Sequence, residues 1–144
     1  MNNSMKYVAS FILVILALIT SGCQSERDEQ YYLSGESSSW NSTIQVTFSH
    51  SGNQEKYHIG GNLSFKKDYT PSTVKYYLTY PNGEGSGTAR GKEIRIPQGG
   101  GTLGTLNTSI ESFSENITLA IEWKDEEGDL LKEEVPLDPK MEYH

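Results

Sequence analysis

One cysteine serves all 144 residues. With Cys23 alone no disulfide can form within the chain, so the folded part must hold together by packing. Basic residues are scarce as well: 12 Lys and Arg stand against 19 Asp and Glu, for a formal net charge of −7. A chain of that sign lacks the basic face that neutralises phosphates, which excludes nucleic acid from the expected partners. Nor is there an apolar stretch long enough for a comfortable membrane span. The run from Val8 to Ile19 holds 12 residues. As a helix it covers about 18 Å, against about 30 Å of bilayer hydrocarbon. Helical periodicity is nearly absent, with at most one turn expected over Ser109 to Glu115, and there is no internal repeat.

What the chain does have at its start is an ordered leader. Polar and basic Asn2-Asn3-Ser4-Met5-Lys6 precede the apolar run, and Thr20-Ser21-Gly22-Cys23 follow it. This is the layout of a secretory signal. It resembles the lipobox of bacterial lipoproteins, with small residues at the two positions before the cysteine. The resemblance implies that a diacylglyceryl group joins the Cys23 sulfur, with the thiolate as nucleophile, and that cleavage occurs just before Cys23. Two acyl chains hold a protein stably at a membrane where one holds it only marginally. They must do so unaided: residues 23–144 lack Lys6, so the total of −7 becomes −8, and anionic headgroups repel a body of that charge.

The expected organisation is a signal peptide over 1–22, a lipidated cysteine and tether over 23–38, one β domain over 39–138 and a tail over 139–144. Trp40, Ile44, Val46 and Phe48 share one parity, which marks a half-buried strand. A turn at His50 to Gln54 leads to a second strand through Tyr57, Ile59, Leu63 and Phe65, in which Gly60-Gly61 suggests a bulge or a close backbone approach. Val74, Tyr76, Leu78 and Tyr80 form a third alternating set, closed by the turn chemistry of Pro81-Asn82-Gly83. A weak return strand follows over Ser86 to Arg90. Ile94 and Ile96 mark a short strand ended by Pro97, before a loose glycine segment and a short strand around Leu103 to Leu106. Ile117, Leu119, Ile121 and Trp123 give the clearest strand. Its return runs through Leu131, Val135 and Leu137, with Pro136 pointing to a sheet edge. Seven or eight short antiparallel strands imply an all-β fold, a two-sheet antiparallel β-sandwich that is immunoglobulin-like in architecture.

Candidate chemistry is sparse. Gly99-Gly100-Gly101-Thr102-Leu103-Gly104 matches G-x-G-x-x-G, but the dinucleotide fingerprint needs a helix opening at its end. Thr105 to Ser109 does not start one there, so a flexible loop is expected. Asp125-Glu126-Glu127-Gly128-Asp129 gathers carboxylates of the kind calcium favours, without the spacing of a calcium-binding helix–loop–helix. A charged hairpin tip explains the same residues. His50 and His58 flank the first hairpin without being directly opposed, and His144 is terminal. Gly35-Glu36-Ser37-Ser38-Ser39 lacks the second glycine of a nucleophile elbow. Tyr77 falls on the polar parity beside Lys75 and Thr79, where an exposed ring can stack on a sugar or meet a protein. No catalytic, metal-binding or cofactor-binding residue is expected.

Leu33 to Trp40, leading into a strand, and Ile117 to Trp123 near the end resemble small secreted lipoproteins of Bacillus-type Gram-positive bacteria. Members of that group often carry paired cysteines in the glycine-rich loop before the last hairpin. This chain has none there, so no thiol role carries over. The resemblance implies a lipid-anchored protein on the extracytoplasmic face of the cell membrane. The expected function is a non-catalytic binding module at the cell envelope. It is held to the membrane through Cys23, and its partner is an envelope protein or a wall polymer. The alternative is a cation- or small-ligand-binding lipoprotein that uses the loops Lys124–Asp129 and Pro97–Gly104.

Overall fold

A computed structural model describes residues 28–51, 54–103 and 109–140. The leader, Cys23 with its expected lipid, Gly104 and His144 lie outside the described residues. The elements are β1 (Glu29–Glu36), β2 (Trp40–Ser51), β3 (Gln54–Phe65), β4 (Ser72–Tyr80), β5 (Gly83–Ala89), β6 (Glu93–Leu103), α1 (Ile110–Ser114), β7 (Thr118–Lys124), β8 (Leu130–Val135) and β9 (Asp138–Lys140). They form two antiparallel sheets packed face to face, ordered β6-β3-β2-β1-β9 and β5-β4-β7-β8. The expected all-β sandwich is the observed fold.

The connectivity carries the immunoglobulin plan. Consecutive strands β3 and β4 sit in different sheets, as do β6 and β7, while β3 pairs with β6 and β4 with β7. Strands β2, β3 and β6 take the A, B and E places, and β5, β4, β7 and β8 the C′, C, F and G places. Strands β1 and β9 widen the first sheet beyond that plan.

Alternation explains the packing. Inward residues of β2, β3, β4 and β7 interdigitate between the sheets, and Leu33, Ile44, Val46, Leu63, Leu78, Leu119 and Ile121 are essentially without solvent contact. Aromatic rings close the two ends of this aliphatic centre. At one end Trp40 meets Trp123 edge-on at 5.7 Å and Phe65 at 4.8 Å, and the Trp123 indole N–H donates to the Tyr69 hydroxyl at 3.1 Å. At the other, Phe113 of α1 inserts between Phe48 and Tyr57, with centroids 5.2 and 4.9 Å away. Ser109 caps α1 by accepting from the Ser112 N–H. The helix is one short turn, as its sequence suggests.

Three expectations require correction. The tether does not reach residue 38: β1 begins at Glu29 and pairs with β2 along its whole length, from Glu29 opposite Phe48 to Glu36 opposite Asn41. The domain likewise extends past 138, since β9 runs to Lys140 and pairs with Tyr32 to Ser34. Pro97 does not end its strand, and the glycines after it are not loose. Strand β6 continues to Leu103, with Gly99 to Gly101 paired to Ile59, His58 and Tyr57. The register shift between Ile59 and Gly61 sets Pro97 and Gln98 opposite Gly60 alone. A bulge of this kind absorbs a proline that lacks an N–H. Pro136 marks an edge from just outside β8, where the chain leaves one sheet for the other.

Candidate functional site

The outer face of the β5-β4-β7-β8 sheet is built by the residues that alternate away from the core. Register places Tyr77 opposite Ser86 on β5 and Ala120 on β7, and Ala120 opposite Glu134 on β8. Both immediate neighbours of Tyr77 are small, so its ring stands 42% exposed above a flat surface. One neighbouring row runs Thr88, Lys75, Glu122, Lys132 and the other Glu84, Thr79, Thr118. Lys132 approaches Glu122 at 4.0 Å, the outer limit of an ion pair and with the lysine largely in solvent, so the contact is worth little to stability. Glu84, Glu122 and Glu134 are matched in number by Lys75, Lys124 and Lys132 on this face. The face is therefore neutral on a body that is strongly acidic. Hydroxyls of Thr79, Ser86, Thr88 and Thr118 surround the ring. Tyr77, Leu130 and Leu131, the large hydrophobic side chains exposed among the described residues, all belong to this sheet.

One charged side chain of β8 turns the other way. Glu133 pairs with Ile121 on the inward parity and reaches the turn between β1 and β2. Its carboxylate accepts from the Ser37 hydroxyl at 2.8 Å, the Ser39 hydroxyl at 2.9 Å and the Ser39 N–H at 3.1 Å. The Ser37 oxygen in turn accepts from the Trp40 N–H at 3.2 Å. These serines are committed to holding the two sheets together, and their hydroxyls act as donors to a fixed anion.

The acidic turn between β7 and β8 brings Asp125, Glu127 and Asp129 carboxylate oxygens within 4.8 Å of one another. Asp125 Oδ1 already accepts from the Glu127 N–H at 3.0 Å and the Asp129 N–H at 2.9 Å. Gly128 supplies the positive φ of 84° that the turn needs. The carboxylate thus shapes the hairpin. The two histidines are not brought together: His50 pairs with Glu55 and His58 with Thr47.

On the open side of the sandwich a groove of about 200 Å³ runs between β5 and β6 over Ile59, Leu78 and Ile96. Tyrosines close it. Tyr76 lies across Gly87 and Tyr80 across Gly83, their cross-strand partners. A Cβ at Gly83 would stand 2.5 Å from the Tyr80 ring, so only glycine fits there. The Tyr57 hydroxyl donates to the Pro81 carbonyl. Burial, and secondarily Tyr80 nearby, raise its pKa above the ordinary 10.0.

Comparisons with protein-family models, with curated proteins and with solved structures each returned no match. Of the residues singled out in the sequence, Tyr77 stands exposed on the outer face of this sheet between Ser86 and Ala120. Glu133 escaped sequence reading, because its partners lie more than 90 positions away. The signal for it was a carboxylate on the apolar parity of a strand.

Proposed function

We propose that this chain is a non-catalytic binding module, carried at the extracytoplasmic face of the membrane by lipid on Cys23. In this reading the outer face of the β5-β4-β7-β8 sheet is its contact surface and a neutral wall polysaccharide its partner. The observation that carries the proposal is the exposed Tyr77 ring between Ser86 and Ala120. A sugar presents one apolar face of C–H groups and a rim of hydroxyls. Tyrosine stacks on the first through its ring and bonds the second through its polar tip. The surrounding Ser and Thr hydroxyls supply further donors and acceptors, and the balanced charge suits an uncharged polymer. Committing Ser37 and Ser39 to Glu133 supports a structural role for the serine turn, in place of a nucleophilic one.

The test uses the full chain, with and without Tyr77→Ala, incubated with purified wall glycan and separated by sedimentation. Retention should fall about tenfold or more in the variant, equivalent to at least 1.4 kcal/mol. Equal retention of both forms rejects the sugar partner. Crosslinking on intact cells then tests the other partner class: a Tyr77-dependent adduct with a protein would transfer the surface to protein recognition. In the same cells Cys23→Ala should release the chain from membranes. An unmodified sulfur on an uncleaved chain would overturn the anchor.

A further inference from the structure

The two sheets expose four edge strands among the described residues, and three of them carry devices that repel an added strand. Strand β9 is three residues long and contains Pro139. Strand β6 carries Pro97 and a bulge. Strand β8 turns the Glu133 carboxylate inward and bears Lys132 beside it. Short length, proline, bulges, lysine and inward charge are the means by which natural sheets stop edge-to-edge growth. Strand β5, Gly-Glu-Gly-Ser-Gly-Thr-Ala, has no proline, bulge, lysine or inward charge, and its single charge is Glu84 near one end. Its seven residues pair with β4 in unbroken register, from Gly83 opposite Tyr80 to Ala89 opposite Val74. Among the described residues no hydrogen bond reaches its outward side.

We propose that β5 pairs with β5 of a second copy of this chain, antiparallel about a two-fold axis at Ser86, to give one continuous sheet across two molecules. The sequence is self-complementary in that register. Ser86 faces Ser86 of the second copy, Glu84 faces Thr88, Gly85 faces Gly87, and Gly83 faces Ala89. Alternate residues of an edge strand turn both N–H and C=O outward, so either parity of β5 finds its equivalent. Facing Ser and Thr side chains form favourable cross-strand pairs, and no like charges oppose one another. The two Glu84 positions lie about 14 Å apart along the strands, four residues at about 3.4 Å, beyond the Debye length of about 8 Å in physiological salt. A parallel pairing would instead set Glu84 against Glu84. Glycine on the inward parity leaves no side chain to clash at the seam. The contact is isologous, as a closed two-fold dimer requires, and it is made by the backbone of β5, whose Ser86 side chain also flanks Tyr77 on the outer face.

Cysteine placement tests the register on the full chain. Cys23→Ala removes the native thiol, and Ser86→Cys then supplies a single new one at the axis. Directly opposed positions hold their Cβ atoms about 4.5–5.5 Å apart, close enough to the disulfide value of about 3.8 Å to be bridged with small adjustment. Thr88→Cys in the same background places the two thiols four residues apart and out of reach. Under mild oxidation Ser86→Cys should give a covalent dimer and Thr88→Cys should not, while a Glu84→Cys, Thr88→Cys double variant should. Sedimentation of the unmodified chain should show a concentration-dependent dimer. That dimer should be lost in Ser86→Lys, which opposes two lysines, with the near-ultraviolet signal of Trp40 and Trp123 unchanged. Three results overturn the proposal: a chain monomeric at every concentration, equal crosslinking of Ser86→Cys and Thr88→Cys, or Ser86→Cys linked on cells only to a different protein.

Discussion

Strands β5 and β8 bound the same four-stranded sheet and have almost nothing in common. On β8 the inward positions carry large side chains: Val135 packs in the core, Glu133 ties the sheet to the turn between β1 and β2, and Leu131, partly exposed, stands opposite Trp123. On β5 the inward positions are Gly83, Gly85, Gly87 and Ala89, and the space they leave is filled from β4 by Tyr76 and Tyr80. The first edge is held by its own side chains. The second is held by side chains borrowed from its neighbour. A carboxylate turned inward is satisfied only by the arrangement it has, so it fixes an edge and shuts it. A row of glycines leaves the backbone free on one side and covered on the other, so that edge can take a partner.

Breaking the β8 side should cost most. Glu133→Ala removes three hydrogen bonds to a charged acceptor and strands the donors of Ser37 and of Ser39, the latter buried. Bonds of this kind contribute about 1.5–3 kcal/mol each, with partial relaxation to water. A loss of about 3 kcal/mol is expected in urea unfolding at constant m. A variant as stable as the parent would show that the clamp is ornamental.

The corresponding insult to β5 is Gly87→Val. Its branched side chain must displace the Tyr76 ring that lies against Gly87, and overpacking of this type costs about 1–3 kcal/mol. Combining it with Tyr76→Ala sharpens the comparison. The two costs should fall short of additivity by about 1 kcal/mol, because the residues share one space. Strict additivity would mean that the ring does not cover the glycine.

Tyr57→Phe is a smaller change, expected to cost about 1 kcal/mol through loss of the bond to the Pro81 carbonyl. It also has a pH signature. The folded-state pKa of Tyr57 lies above 10.0, so its contribution is fully present below the unfolded value. The contribution is lost as pH rises from about 10 through the higher folded value, where the unfolded chain has released a proton that the folded chain retains. The parent should therefore lose stability in that range, and Tyr57→Phe should lose less. Parallel pH profiles would contradict this assignment. The smallest effect is on the outer face, where Lys132→Ala should change stability by less than about 0.5 kcal/mol. A larger loss would mean that its contact with Glu122 is part of the β8 clamp.

Strands with a two-residue rhythm of bulky side chains were legible in the sequence, and so was the exposure of Tyr77. Trp40 to Phe48, Val74 to Tyr80 and Ile117 to Trp123 each carry a full inward set, so burial alone dictates them. Strand β1 has a single fully buried residue, Leu33. Its place is decided by backbone pairing with β2, which leaves no mark on its own hydrophobic pattern. The glycines of β5 and β6 have no side chains with which to declare a face. Their strands are set by Tyr57, Tyr76 and Tyr80, residues that sequence reading assigns only to their own strands. The link from Glu133 to Ser37 and Ser39 joins opposite ends of the chain, and local patterning cannot reach that far.

The serine turn has one more consequence. Amides in exposed turns ordinarily trade protons with solvent deuterons quickly, whereas the Ser39 N–H is bound to the Glu133 carboxylate. Its deuterium uptake will then run at the pace of a strand interior and will report the separation of the two layers, not the wobble of a loop.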